Sequence, residues 1–228
     1  MRGSWRARPT AGNRGGNAEP GLEVPKPYWG YEDLGIFCLL LVALGPMLRL
    51  LEQFHFVEDS APQIQCAVIL FLIVGLYAIL KLRYRQPVVR PLGWVPTRPI
   101  YLGVAAILGS LLAGVVALGS GVHKQPANSL RGLEFIVSGT LLGPILEESL
   151  FRGCLLPLLR PSFGPAAAVA VTALLFALFH GPSDFAHWAS FTATGCAYGW
   201  LRLASRSTTA AALMHASYNL VLILAMKH

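Results

Sequence analysis

Long apolar stretches recur along the chain at regular spacing, and short polar segments separate them. Most are close to the roughly 20 residues that an α-helix needs to cross the hydrocarbon core of a bilayer. The fifth stretch is short, and the sixth is only moderately apolar. The pattern predicts an all-α fold, a polytopic membrane helical bundle with about seven transmembrane helices. The predicted spans are residues 34–54, 62–81, 100–121, 133–159, 165–180, 185–203 and 208–226.

Composition agrees with a membrane protein. Of the 228 residues, 54% are hydrophobic and only 13% are charged, whereas a soluble domain usually carries about 25% charge. The first 30 residues are different, because they are rich in Gly, Pro and Arg and contain no apolar core. They predict a disordered basic tail rather than a signal peptide. Basic flanks of membrane helices need no nucleic-acid partner, so we predict none.

The net charge of +7 is concentrated in alternate loops. Cytoplasmic loops of membrane proteins carry an excess of Lys and Arg. This alternation predicts a multi-pass integral membrane protein with a cytoplasmic N-terminus and an external C-terminus. The cations that set this orientation are Arg2, Arg6, Arg8, Arg14 and Lys26 before span one, Lys81, Arg83, Arg85, Arg90 and Arg98 between spans two and three, Arg160 after span four, and Arg202 and Arg206 after span six.

A proline-rich segment, residues 85–98, divides the apolar part of the chain. It predicts three parts: a disordered tail (1–30), an N-terminal helix pair with its basic loop (31–99), and a functional core (100–228). The four cysteines lie in or beside apolar spans without a C-x-x-C pair. They are typical of small buried side chains rather than of a disulfide framework or a zinc ribbon.

Few ionisable groups lie inside the predicted spans. A charge at mid-membrane costs at least a few kcal/mol, so such residues usually face the bundle interior and have a function. Of the eleven acidic residues, only two lie deep within a span, and one arginine accompanies them. The polar residues within or at the ends of spans four to seven are Glu147, Glu148, Arg152, His180, His187, His215 and Asn219.

Helix geometry sorts the charged residues of span four. Glu148 and Arg152 are four residues apart and share a helix face, so they can form an ion pair. Glu147 points about 100° away and has no cation beside it on its own helix. A buried carboxylate in that position suits a general base. Gly143-Pro144, one turn earlier, is expected to weaken or kink the helix.

His215 and Asn219 are also four residues apart, and together they could donate hydrogen bonds to an oxyanion. Each polar group also has a purely structural interpretation. The Glu148–Arg152 pair could be architectural, His180 could cap a helix end, and the span-seven pair could join helices by hydrogen bonds. His187 is interpreted as structural or interfacial. The occurrence of these groups on three spans favours a functional site.

These residues resemble the motifs of a known family. "EESLFRG" (147–153) resembles the E-E-x-x-x-R motif of the CAAX-protease and bacteriocin-processing family, also called CPBP or Abi. "FALFH" (176–180) resembles its second motif, F-x-x-x-H, and "HASYN" (215–219) its third, H-x-x-x-N. The resemblance covers roughly residues 100–226.

The resemblance implies an intramembrane endopeptidase, with a peptide or protein substrate in the membrane and the lipid bilayer as its surroundings. Glu147 would then activate the attacking water, and His180 would help to hold it. His215 and Asn219 would stabilise the oxyanion, with Glu148 and Arg152 supporting the site through their ion pair. Two imidazoles and a carboxylate could also bind zinc. Because Asn219 suits an oxyanion donor better than a ligand, we favour catalysis by glutamate without a cofactor.

Other intramembrane protease classes lack their motifs here. The sequence contains no H-E-x-x-H for a zinc protease and no G-x-S-G for a serine nucleophile. None of its three aspartates lies deep in a predicted span, which excludes the aspartate pair of an aspartyl protease. A non-catalytic binding, immunity or scaffold protein with the same fold stays an alternative. A transporter with a Glu/His proton relay is a weaker one, since no internal repeat is visible. The sequence specifies neither the substrate nor the oligomeric state.

Overall fold

The computed structural model describes residues 27–52, 61–119, 132–181 and 184–226. All regular elements in these residues are helical, which confirms the predicted fold class. Residues 1–26 of the predicted tail lie outside the described residues. The elements in chain order are α1 (Tyr31–Glu52), α2 (Ala61–Tyr84), α3 (Pro99–Gly119), α4 (Gly132–Val137), a first π turn (Ser138–Leu142), α5 (Gly143–Glu148), a second π turn (Ser149–Leu155), α6 (Leu156–Phe179), α7 (Phe185–Ser205) and α8 (Thr208–Met226).

Four helical stretches among the described residues are long and apolar enough to cross a membrane. They support an integral, multi-pass membrane protein. The helices α1 and α7 coincide with predicted spans but are not among these four stretches, so the number seven stays a prediction, as does the cytoplasmic N-terminus. The four stretches are Gln63–Tyr84, Pro99–Leu118, Leu133–Phe179 and Thr208–Ala225.

The stretch Leu133–Phe179 is 47 residues long, and a sharp break divides it. Gly164 leaves the helical conformation with φ 76° and ψ 169°, between Pro161 and Pro165. A positive φ is readily accessible to glycine because it has no β-carbon. The break falls between the fourth and fifth predicted spans. The two helical segments are therefore separated at the position that the polar–apolar pattern predicts.

A proline follows each π turn, with one residue between them. The N–H of Gly143 bonds to the oxygen of Ser138, and the N–H of Leu156 bonds to that of Phe151. A proline inside a helix has no N–H and clashes with the carbonyl four residues earlier. Pro144 and Pro157 follow these two bonds immediately, and the wider turns accommodate them. The expected weakening at Gly143-Pro144 therefore takes the form of a π turn.

The N-terminal helices share one hydrophobic core with the rest of the bundle. Phe37 of α1 and Leu76 of α2 belong to the same buried cluster as Phe176 and Met214. The indole N–H of Trp29, just before α1, donates to the carbonyl of Cys154 in the second π turn at 3.2 Å. The division of the chain at residue 99 stays a prediction, and the two sides pack against each other.

Close approach of α3 and α8 forms the most extensive helix pair in the described residues. It depends on Gly109, because a β-carbon there would overlap the Met214 carbonyl oxygen and press on Ser217. Gly114 lies on the same helix, and a β-carbon built on it meets nothing within 4 Å. One glycine is therefore required for packing and the other is not.

We expect Gly109→Ala to lower the free energy of unfolding by about 1–3 kcal/mol, the usual effect of overpacking a tight contact. The matched Gly114→Ala variant should be neutral or slightly stabilising, since alanine favours helix more than glycine does. Thermal unfolding of both purified variants in the same detergent measures the difference. Equal midpoints for the two variants would contradict the close contact.

Candidate active site

Three polar side chains from three separate elements meet inside the bundle. The Glu147 Oε2 atom of α5 lies 3.5 Å from Nε2 of His180 at the end of α6. The same oxygen lies 3.9 Å from Nε2 of His215 in α8. It is sealed from solvent and has no hydrogen-bond partner within the described residues. A buried carboxylate oxygen thus faces two imidazole nitrogens and no cation of its own helix.

The end of α6 places His180 in this position. His180 caps α6 directly after Phe179, and Gly181 follows with φ 57°, the left-handed conformation that commonly ends helices. The imidazole points back along α6, where its Nδ1 lies 2.8 Å from the carbonyl of Phe176. Its ring also stacks on Phe191 of α7, with centroids 4.4 Å apart and planes at 23°.

The contact with Phe176 fixes the tautomer of His180. A backbone carbonyl can only accept a hydrogen bond, so Nδ1 carries the proton. In the neutral ring, Nε2 is then an acceptor, and it faces the carboxylate of Glu147. Two acceptors facing each other form no direct hydrogen bond, but a donor placed between them could bond to both.

Glu148 is fully buried, and one of its oxygens has two partners. The Oε1 atom lies 3.1 Å from Nη1 of Arg152 and 3.0 Å from Nδ1 of His215. The predicted Glu148–Arg152 ion pair is present, and the contact with His215 adds a third helix to it. Arg152 also donates from Nη2 to the carbonyl of Gly195 on α7 at 2.8 Å.

Aromatic rings hold Arg152 and His215 from the side. The guanidinium carbon of Arg152 lies 4.7 Å from the ring centre of Phe176 and 5.3 Å from that of Tyr198. Tyr198 also stacks on His215, with centroids 4.7 Å apart and planes at 18°. Cation–π contacts of this kind are stronger where water is excluded. Sequence reasoning missed Tyr198 and Phe191, since neither belongs to a motif or has a spacing that relates it to the histidines.

Asn219 lies one turn after His215, as the spacing indicated. Its amide nitrogen donates to the carbonyl of Gly139 in the first π turn at 2.7 Å. One of its two N–H groups is therefore used to join α8 to that turn. No contact of Asn219 with Glu147 is recorded among the described residues, and its role as an oxyanion donor stays a prediction.

The structural interpretation of His187 fits its surroundings. His187 is exposed at the start of α7, where its Nδ1 lies 2.7 Å from Asp184. Asp184 also accepts the backbone N–H of His187 as the N-cap of the helix. Side chains in this arrangement stabilise helix ends.

Metal binding was left open by the sequence. Within the described ranges, no three His, Cys, Asp or Glu side chains are arranged to hold a metal ion as they stand. The expectation of a reaction without zinc stays a prediction.

Comparison with known families supports the resemblance seen in the motifs. Residues 129–221 match the family model described as "Type II CAAX prenyl endopeptidase Rce1-like". The match contains all three motifs, and it supports a CAAX-type membrane protease at the level of the family. This part of the chain is therefore similar to the CAAX-protease and bacteriocin-processing family. No curated protein and no solved structure matches the chain.

The shared carboxylate of Glu148 gives a stability prediction. We expect Arg152→Met to lower the free energy of unfolding by about 3–5 kcal/mol, because it removes one partner of a buried ion pair and leaves the other uncompensated. The double variant Glu148→Gln/Arg152→Met should recover part of that loss, since neither charge is then left alone. Unfolding of the wild type and of both variants in mixed micelles with increasing denaturing detergent measures these differences.

His187→Ala is the matched control for this series, because it breaks an exposed pair with Asp184, and exposed pairs contribute little. The buried pair would be dispensable if Arg152→Met unfolded at the same detergent fraction as His187→Ala.

Proposed function

We propose that the chain is an intramembrane endopeptidase that hydrolyses a peptide bond of a membrane-embedded or lipid-modified substrate. The observation that carries the proposal is the meeting of Glu147 with His180 and His215, each on a different helix. Three side chains of this chemistry have little reason to meet inside the bundle unless they act on something between them. The family match over the same residues supports the same reaction class.

In this proposal, Glu147 and the acceptor nitrogen of His180 hold one water. The water donates one hydrogen to the carboxylate and the other to Nε2, so its oxygen lone pair points away from both. As this oxygen attacks the peptide carbonyl, Glu147 accepts the proton as a general base. The proton then passes to the departing amine as the C–N bond breaks, leaving a carboxylic acid and an amine as products.

His215 is suited to the charge that develops on the carbonyl oxygen. With Nδ1–H bonded to Glu148, a protonated His215 has its Nε2–H directed toward the space beside Glu147. That N–H and the second N–H of Asn219 would donate to the oxyanion. Glu148 stabilises the imidazolium, and Arg152 keeps Glu148 in place. Donors fixed before the reaction are effective in a site that excludes water.

The substrate class is part of the proposal. The matched family is described as a "CAAX prenyl endopeptidase", so a peptide with a prenylated cysteine is the first substrate to test. Such a lipid would partition into the bilayer and bring the adjacent peptide bond to a site among membrane helices. The alternative, a non-catalytic binding, immunity or scaffold protein, predicts binding of the peptide without cleavage.

Replacing the proposed base tests the mechanism. We expect Glu147→Gln to reduce cleavage of a fluorogenic farnesylated peptide by about 100-fold or more, because general-base catalysis typically contributes 10²–10⁴. The thermal midpoint should be preserved, since glutamine keeps the shape of the side chain. His187→Gln is the matched control and should cleave at the wild-type rate.

Two other results would decide against the proposal. Undiminished cleavage by Glu147→Gln would remove this carboxylate from the mechanism. A wild-type protein that binds the farnesylated peptide without cleaving it would favour the non-catalytic alternative.

Removal of metal ions tests whether the proposed reaction requires zinc. We expect dialysis against 1,10-phenanthroline to leave the cleavage rate unchanged, because the proposed chemistry needs only the carboxylate, the imidazoles and water. Elemental analysis of the purified protein should find no stoichiometric zinc. Loss of activity that returns on adding Zn²⁺ would show that Glu147 and the two histidines bind the metal instead.

A further inference from the structure

Arg202, in the last turn of α7, is a second buried arginine, and it differs from Arg152 in its partners. Only 7% of its surface is exposed, and its Nε is sealed from solvent without a hydrogen-bond partner. In the described part of the chain, it forms no ion pair with a carboxylate and no hydrogen bond with a carbonyl. Charge counting along the chain placed Arg202 among the cations that follow span six, and the structure buries it in the last turn of α7.

Neighbouring groups locate Arg202 at a membrane boundary. Its Nη2 atom lies in the space that a side chain at position 93 would occupy, close to the hydroxyl of Thr208. Gly93 belongs to the segment between two candidate spans, which end at Tyr84 and begin at Pro99. The candidate span in α8 begins at Thr208 itself. The guanidinium therefore lies where three membrane-spanning helices reach one surface of the bilayer.

Hydrogen bonds fix the segments that surround the guanidinium. Thr208 donates from its backbone N–H to the Gly93 carbonyl at 2.7 Å and from its hydroxyl to the Leu92 carbonyl at 2.6 Å. Ser207 donates from its hydroxyl to the Val95 carbonyl at 2.6 Å. These bonds fix the 92–95 segment against the start of α8. Gly93 has φ 83°, so a larger residue would be strained there as well as overlapping Arg202.

Arg202 also has a cation for a neighbour. Arg160 is close enough to repel the Arg202 guanidinium. Arg85, Arg98 and Arg206 are exposed on the segments that flank Gly93 and Thr208. Burying a cation without a counter-charge is unfavourable. A second cation beside it adds repulsion, which a bound anion would remove.

We propose that Arg202, beside the first turn of α8, binds the phosphate of an anionic phospholipid headgroup. The planar guanidinium suits the oxygens of a phosphate through paired hydrogen bonds. The Thr208 N–H and hydroxyl already bond to the Gly93 and Leu92 carbonyls, so the guanidinium supplies the donors. Headgroups occupy the boundary where Arg202 lies, and basic pockets between membrane helices bind anionic lipids. The site is separate from Glu147 and does not depend on the proposed reaction.

The experiment uses the full chain in nanodiscs of phosphatidylcholine, with or without phosphatidylglycerol. We expect phosphatidylglycerol to raise the thermal midpoint of the wild type. Arg202→Met should lose most of that gain and bind the lipid about tenfold more weakly, the effect of losing one charge-assisted interaction. Arg206→Met removes an exposed cation four residues away and should keep the gain. In pure phosphatidylcholine, Arg202→Met should be at least as stable as the wild type, because no unpaired charge is buried.

A second variant and a second ligand complete the test. Arg202→Lys keeps the charge but not the paired donors, so it should show an intermediate gain, and it replaces the methionine variant if that fails to fold. Inorganic phosphate at constant ionic strength tests the source of the group. If phosphate gives the wild type the whole gain and phosphatidylglycerol adds none, the lipid assignment is wrong and the site binds soluble phosphate. Equal gains from phosphatidylglycerol in wild type and Arg202→Met would overturn the site altogether.

Discussion

The carboxylate of Glu148 is the interaction on which the interior of the bundle depends. It is wholly buried, and one oxygen receives both Arg152 from its own helical stretch and His215 from α8. Arg152 then reaches the carbonyl of Gly195 on α7. A buried charge is tolerated only when it is paired and hydrogen-bonded, so these bonds require three helices to approach in one register. That register also brings His215 next to Glu147.

The two adjacent glutamates therefore differ because of their surroundings rather than their chemistry. The Oε1 atom of Glu148 has a guanidinium and an imidazole N–H, whereas Glu147 faces two Nε2 atoms at 3.5 and 3.9 Å and has no arginine beside it. The π turns on either side of α5 contribute to this difference. Each adds a residue to a helical turn, which changes the phase of the following side chains. Prolines follow both turns, so the sequence encodes the widening locally.

Local features of the site could be read from the sequence, and contacts across the fold could not. The spacing of Glu148 and Arg152 predicts their ion pair, because residues four apart share a helix face. Glu147, His180 and His215 stand out as polar residues within or at the ends of apolar spans, and their motif order resembles that of the family. The contact between His215 and Glu148, however, joins positions 67 residues apart. The stacking of Tyr198 on His215 and of Phe191 on His180 likewise depends on how α7 packs. The spacing of apolar and polar residues along the chain does not predict that packing.

The two buried arginines show why burial alone does not reveal what a charge is for. Arg152 has a carboxylate, a backbone carbonyl and two aromatic faces, so its charge is balanced by the protein. Arg202 is nearly as buried, but its nearest recorded charge is another arginine. Sequence position could not separate them, because charge counting along the chain assigns Arg202 to a loop. Packing of the 92–95 segment against α8 encloses it instead. Within the described ranges no carboxylate balances this enclosed cation, and the proposed phosphate would supply that charge from outside the chain.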